Sequence, residues 1–194
     1  PAAIRQALEN IPETPKPGDK LFEKVQNVLV GSNYLAAQAA LEQARTEGFY
    51  TKFLGDAWQG EARDVAKIYC EQLKTSTERP LCIVVGGETT VTIRGNGLGG
   101  RNQELALAAA QGLAGQENVL LVTLATDGED GPTDAAGAVV SGETKQRAQA
   151  KGLDAHTYLD ENNAYRFFEA LDDLLKPGPS GTNVNDLTFL FAFH

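Results

Sequence analysis

Apolar and polar positions along the 194 residues fall into a repeating rhythm of short apolar runs and longer amphipathic ones. VQNVLV (25–30) reads as a short strand, closed by GSN. YLAAQAALEQARTEG (34–48) places Ala37, Ala40, Leu41 and Ala44 on one helical face, and Gly48 stops it. FYTKFLG (49–55) reads as a second strand. In GEARDVAKIYCEQLK (60–74), Ala62, Val65, Ala66, Ile68, Tyr69 and Leu73 form a buried helical stripe. LCIVVGG (81–87) is apolar throughout, as a strand covered on both faces should be. TTVTIRG (89–95) reads as a further strand.

RNQELALAAAQGLAG (101–115) is the next helix, and NVLLVTLATDG (118–128) a strong buried strand. EDGPTDAAGAVV (129–140) is a loop with a short apolar piece. GETKQRAQAKG (142–152) and NAYRFFEALDDLL (163–175) read as helical, KPGPSGTNVND (176–186) as a loop, and LTFLFAF (187–193) as the final strand. Alternating strands and helices predict an α/β fold, a layered α/β/α with a mostly parallel, mixed sheet. Before this rhythm, AAIRQALEN (2–10) reads as a short helix. Pro12, Pro15 and Pro17 then make a linker or arm, so residues 1–20 stand apart from one α/β domain over 21–194.

Charge changes the picture modestly. The formal net charge of −9 argues against a nucleic-acid partner but not against a small anion, which one local cationic site can hold. No apolar stretch is long enough to span a bilayer. Cys70 and Cys82 have neither CxxC nor zinc spacing, and read as reduced thiols of a cytoplasmic protein. The chain has no methionine and starts at Pro1, which reads as a piece of a longer polypeptide.

In open α/β sheets ligands bind at the carboxyl ends of strands. Three apolar runs end in small polar residues there: Gly31-Ser32-Asn33, Gly86-Gly87-Glu88-Thr89-Thr90 and Thr126-Asp127-Gly128. Ser32 and Asn33 taken alone fit a helix cap equally well. Asp127 closes a very apolar strand, where a carboxylate needs a purpose: base, metal ligand or partner to an arginine. Glu129 and Asp130 read as a solvated acidic loop.

The glycine loop of GNGLGGRNQELALAAA (95–110) is the strongest local signal. Gly95, Gly97 and Gly100 fit G-x-G-x-x-G, but the acidic residue that a dinucleotide turn wants about twenty positions on is absent from the expected strand end. Glycines with free amides (Gly97, Gly99, Gly100), a helix N-terminus and Arg101 together suit a carboxylate or phosphate. The competing reading is that Arg101 pairs with an acid such as Glu88 and the glycines only turn. His156 reads as surface, and Trp58 as packing a loop.

GGETTVTIRGNGLGGRNQELALA, ATDGEDGPTDAAGAVV and GPSGTNVNDL together resemble the C-terminal MOFRL domain of class II glycerate kinases, over about 80–193, with VGSN and QGEAR resembling the segment before it. The same family carries an older label, hydroxypyruvate reductase of tartrate degradation. The resemblance implies transfer of the ATP γ-phosphate to the 2-hydroxyl of D-glycerate, with Mg2+. Because that family has a second, N-terminal half bearing its essential lysine, it also implies that ATP and Mg2+ need this partner domain and that the fragment is inactive alone. On this resemblance Arg101 and Asp127 are catalytic, with Asp127 a metal ligand. Ser32, Asn33, Gly86, Gly87, Glu88, Thr89, Thr90, Gly97, Gly99, Gly100, Asn102, Thr182, Asn183 and Asn185 line the substrate and phosphate site. The rivals are an NAD(P)H-dependent hydroxypyruvate reductase and a non-catalytic partner domain, whose bared apolar surface would drive homo-oligomer formation.

Overall fold

The structure, a computed structural model, describes all 194 residues in two units, Pro1–Val30 and Gly31–His194. The first holds helix α1 (Ala2–Glu9) and one 3-10 turn over Lys20–Phe22, whose start Asp19 caps by accepting from Leu21 N. The strand expected over 25–30 does not form. A strand is stable only when a neighbour takes up its backbone groups, and none does so here.

In the second unit the order is α2 (Asn33–Thr46), β1 (Tyr50–Phe53), α3 (Ala62–Thr75), β2 (Leu81–Gly87), α4 (Arg101–Gly112), β3 (Val119–Ala125) and β4 (Gly137–Ser141). Then come α5 (Thr144–Ala150), α6 (Ala155–Asp160), α7 (Ala164–Leu171), β5 (Leu174–Leu175) and β6 (Asp186–Ala192). The six strands form one sheet in the order β1-β2-β6-β3-β4-β5. The layered α/β class and the mixed sheet stand, but only β1–β2 is parallel; the other four pairings are antiparallel. The reason is in the connections. β2 and β3, joined through helix α4, point the same way as a helical crossover requires, but β6 inserts antiparallel between them, and β4 turns back on β3 through a loop.

Two cores flank the sheet. α2 places Ala37, Leu41 and Ala44 against Cys82, Val84 and Leu187 on one face. On the other, α3, α4 and α7 bury Tyr69, Leu105, Leu107, Phe167 and Phe168 with Ile83, Val85, Leu121 and Leu190. Alternate residues of β2 therefore serve different cores, which is why the whole run is apolar. Helix α4 is buried almost all round, its first turn included.

Three local differences have local causes. Residues 89–95 form no strand beyond a bridge between Glu61 and Thr90. The N–H groups of Arg94 and Gly95 instead donate to Asn162 Oδ1. α7 stops at Leu171 because Asp172 takes the left-handed conformation at φ 61°, freeing Leu174–Leu175 to pair with β4. Helix α6, not anticipated, starts where Asp154 accepts from His156 N and Thr157 N. No helix is long and apolar enough to cross a membrane.

Candidate functional site

Asp186, the first residue of β6, lies between Gly87, the last of β2, and Ala125, the last of β3. The loops after β2 and β3 and the loop before β6 thus converge on one crevice. Arg101, the first residue of α4, reaches into it. Its Nε donates to Asp186 Oδ2 at 2.6 Å and its Nη2 to Oδ1 at 2.8 Å, a bidentate fork. Glu88 Oε1 stands 3.4 Å from the same Nη2. Nη1 makes no hydrogen bond to the protein. Burial pushes the Asp186 carboxyl above its usual range and Arg101 pulls it back, while Asp186 pushes the Arg101 guanidinium further up. An apolar cavity of about 300 Å³, lined by Val91, Ile93, Gly100, Arg101 and Pro132, opens beside the arginine.

The start of α4 already holds an anion, and it belongs to the chain. Asp130 Oδ1 accepts from Asn102 N at 3.2 Å and Oδ2 from Gln103 N at 2.9 Å. Gly100 is glycine because a Cβ there would sit 2.3 Å from the Asp130 carboxyl carbon. Asp130 is therefore not a solvated loop residue. It is fully buried, and burial, opposed by these two N–H groups, pushes its carboxyl up to about 6. The first-turn amides are not open to an external anion, which corrects that part of the sequence reading. Asn102 is buried, its Oδ1 accepting from Thr123 Oγ1 at 2.6 Å, and it lines a small recess with Glu88, Thr89 and Asp186, whose carboxyl it helps pull down.

The remaining glycines serve close packing. A Cβ on Gly95 or Gly97 would come 2.5 Å from the Glu161 carbonyl oxygen. Gly97 N donates to Glu161 O at 2.8 Å and Leu98 N to Asn163 Oδ1 at 3.1 Å. Asn162, which takes Arg94 N and Gly95 N, donates in turn to Glu104 Oε2 at 2.8 Å. Glu104 Oε1 accepts from Arg63 Nε at 3.0 Å and Nη2 at 2.8 Å. Gly99 lies against Ala164. Gly97 and Gly99 so pack on the 161–164 segment while also lining the cavity beside Arg101.

Other expected residues divide. Ser32 caps α2, accepting from Leu35 N at 3.1 Å. Asn33 Nδ2 ties the loop before β6 by donating to the carbonyls of Val184 and Asp186, both at 2.8 Å. Its Oδ1 rests against Gly86, where any Cβ would collide. Gly87, at φ 157°, presses on the Trp58 backbone, and Trp58 packs its loop by donating from Nε1 to Leu54 O. Thr89 is buried beside Arg101 in the same cavity, whereas Thr90 is exposed beside Glu61. Asp127 is half-buried. It accepts from Asn183 Nδ2 at 2.9 Å and Glu129 N at 3.2 Å, while its carbonyl accepts from Ser180 N. Asn185, at φ 65°, holds Thr126 through its carbonyl. Thr182 is exposed and reaches the site only through Ser180.

The structure therefore brings Arg101, Glu88, Thr89, Gly97, Gly99, Gly100 and Asn102 together around the start of α4, puts Asp127, Asn183 and Asn185 on the adjoining loops, and leaves Thr90 and Thr182 exposed. Sequence reasoning missed Asp186, Asp130 and the Arg63–Glu104 pair. Asp186 carried a readable signal, since it opens an apolar strand just as Asp127 closes one. No three of His, Cys, Asp and Glu gather to hold a metal ion. Asp127 offers a single carboxylate.

A profile of the MOFRL family matches residues 81–186, a little over half the chain. The chain is 39% identical over 191 residues to D-glycerate 2-kinase of Thermotoga maritima, covering 95% of this chain and 44% of that protein. It is 40% identical over 170 residues to glycerate 2-kinase of Pyrococcus horikoshii, covering 84% of this chain and 38% of that protein. The crystal structure of Thermotoga maritima glycerate kinase superposes with a TM-score of 0.86 at 39% identity, over 88% of this chain and 42% of that one. The chain thus spans less than half the length of these relatives.

Proposed function

The chain belongs to the MOFRL family, and from that premise we propose that it supplies one wall of the active site of an ATP-dependent glycerate kinase. The reaction moves the γ-phosphoryl group to the 2-hydroxyl of D-glycerate. The observation that carries this reading is Arg101. It is fixed by Asp186 at the meeting of three strand ends, with Nη1 left over and Asp127 on the neighbouring loop.

Phosphoryl transfer is mostly positioning and charge neutralisation. Nη1 of Arg101 holds the glycerate carboxylate or the transferring phosphoryl oxygens. Asp127, steadied by Asn183, orients the 2-hydroxyl and takes its proton as the oxygen attacks phosphorus and ADP departs. Thr89 and Asn185 shape the crevice around it. A magnesium ion fits the donor set only as one held largely by substrate oxygens, with Asp127 as its protein ligand. When bound, it supplies neutralisation of the phosphate charge. Because ATP and the rest of the site need the other half of a longer protein, the chain alone is inactive. The buried, unpaired Cys70 and Cys82 accord with a reducing, cytoplasmic setting.

The dinucleotide alternative loses its main support. A pyrophosphate at the start of α4 would have to take the amides that Asp130 occupies. The deciding experiment is coupled ADP release by the complete protein with D-glycerate, ATP and magnesium, beside this chain alone. Release by the former only supports the reading; NADH oxidation with hydroxypyruvate and no ADP release would overturn it.

A further inference from the structure

Arg101 has two carboxylates and they are not equivalent. Asp186 is held on a strand between two neighbours, its side chain is 8% exposed, and it takes two short hydrogen bonds. Glu88 has a 51% exposed side chain, sits 3.4 Å away and accepts no hydrogen bond at all. Its backbone is nevertheless fixed, since Glu88 N donates to Trp58 O at 2.9 Å. A pinned backbone with a loosely engaged side chain is the arrangement of a group that can step aside without unfolding anything.

We infer that Glu88 is a tethered stand-in for the substrate anion, occupying the outer side of the Arg101 guanidinium until an incoming carboxylate or phosphate displaces it. This rests on the reading of Arg101 as the anion-binding group. With both Asp186 and Glu88 in place, one guanidinium faces two carboxylates, and Asp130 stands behind it at the start of α4. A further anion meets net negative charge unless one leaves. Asp186 cannot leave without stranding a buried charge. Glu88 can, because it rotates into water and an exposed ion pair contributes little. The exchange swaps one anion for another, so Arg101 stays extended toward the crevice in both states. It also makes the site selective: a ligand must bind the fork better than a carboxylate already present at high local concentration.

The test uses the 194-residue chain, titrated with inorganic phosphate and separately with D-glycerate at constant ionic strength. Binding is followed through the amide resonances of Gly87, Glu88 and Arg101. Glu88→Gln keeps the side-chain shape on an exposed position and removes only the competing charge. It is expected to tighten both anions by about fivefold, the size of an exposed ion pair. Arg101→Lys, added to Glu88→Gln, is expected to abolish the gain. Unchanged or weaker binding in Glu88→Gln, no binding in either form, or a gain that survives Arg101→Lys would each overturn the inference. The kinase reading is judged separately. ADP release by the complete protein with no gain in Glu88→Gln sinks the stand-in alone; a gain without ADP release sinks the kinase reading alone.

Discussion

Helix α4 carries two arginine–carboxylate forks within its first turn, and they do opposite jobs. At Glu104 the partner Arg63 comes from α3, both side chains are nearly buried, and the spare lone pairs and donors go to Asn162 and the Leu159 carbonyl. At Arg101 the partner is as close or closer, but the side chain is 26% exposed and Nη1 makes no hydrogen bond to the protein. The first fork closes on itself and ties α3, α4 and the glycine loop into one piece. The second is closed behind by Asp186 and only loosely engaged in front by Glu88. Ion pairs with similar bond lengths are thus told apart by what remains unsatisfied, and only the unfinished one has chemistry left to offer.

Breaking the closed fork has the largest expected effect. Glu104→Ala leaves the Arg63 guanidinium buried without its carboxylate and should cost about 3–5 kcal/mol, read from urea unfolding. A loss under about 1 kcal/mol would mean the pair is not structural.

The buried anion beside these forks comes next. Asp130 has its carboxyl raised to about 6 from an ordinary 3.8. The folded state therefore holds a proton that the unfolded state has lost between those values, and stability falls as pH rises through that window, then levels. Asp130→Asn cannot titrate. Relative to the wild type it should gain up to about 3 kcal/mol between pH 4 and pH 6, checked by urea midpoints at each pH. A constant difference would show that the helix start holds the carboxylate charged throughout.

Arg101→Lys sharpens the contrast from the other side. In the complete protein kcat/KM should fall about 100-fold or more, because a planar fork cannot be replaced by a point charge. Stability should fall less than in Glu104→Ala, because the lysine keeps a positive charge beside the buried Asp186. Equal losses of stability in Arg101→Lys and Glu104→Ala would erase the distinction. Gly97→Ala tests the glycine loop itself, since its Cβ would meet Asn163 Cβ at 2.4 Å and the backbone Glu161 O at 2.5 Å. A shift of the 161–163 segment should hold the cost to about 1–3 kcal/mol, with the calorimetric Tm as readout.

How much of this was readable depended on range. The runs that became β2, β3, α3 and α4 were legible because their periodicity reflects burial on one face or two. Arg101 at a helix start was legible from the glycines and the run that follows. What the glycines were for was not. Gly95 and Gly97 are small because residues 161–163 lie on them, and Gly100 because Asp130 does; those contacts span dozens of residues. Asp130 looked solvated for the same reason: its partners are amides, which have no sequence identity. Residues 25–30 and 89–95 had strand composition but lacked a neighbour, and composition cannot supply one. β6 looked like one more parallel strand because its direction is set by the connection, not by its own residues.

The place of β6 has a consequence for synthesis. It is made after the other five strands, yet it lies between β2 and β3 and is the only link between the two halves of the sheet. A ribosome translating this chain therefore releases β1–β2 and β3–β4–β5 as separate, half-paired edges that stay open until the last strand has emerged. In that interval the nascent chain is most exposed to mispairing with its neighbours on a polysome. Pausing codons or a chaperone acting just ahead of residue 186 would change yield without touching the stability of the finished fold.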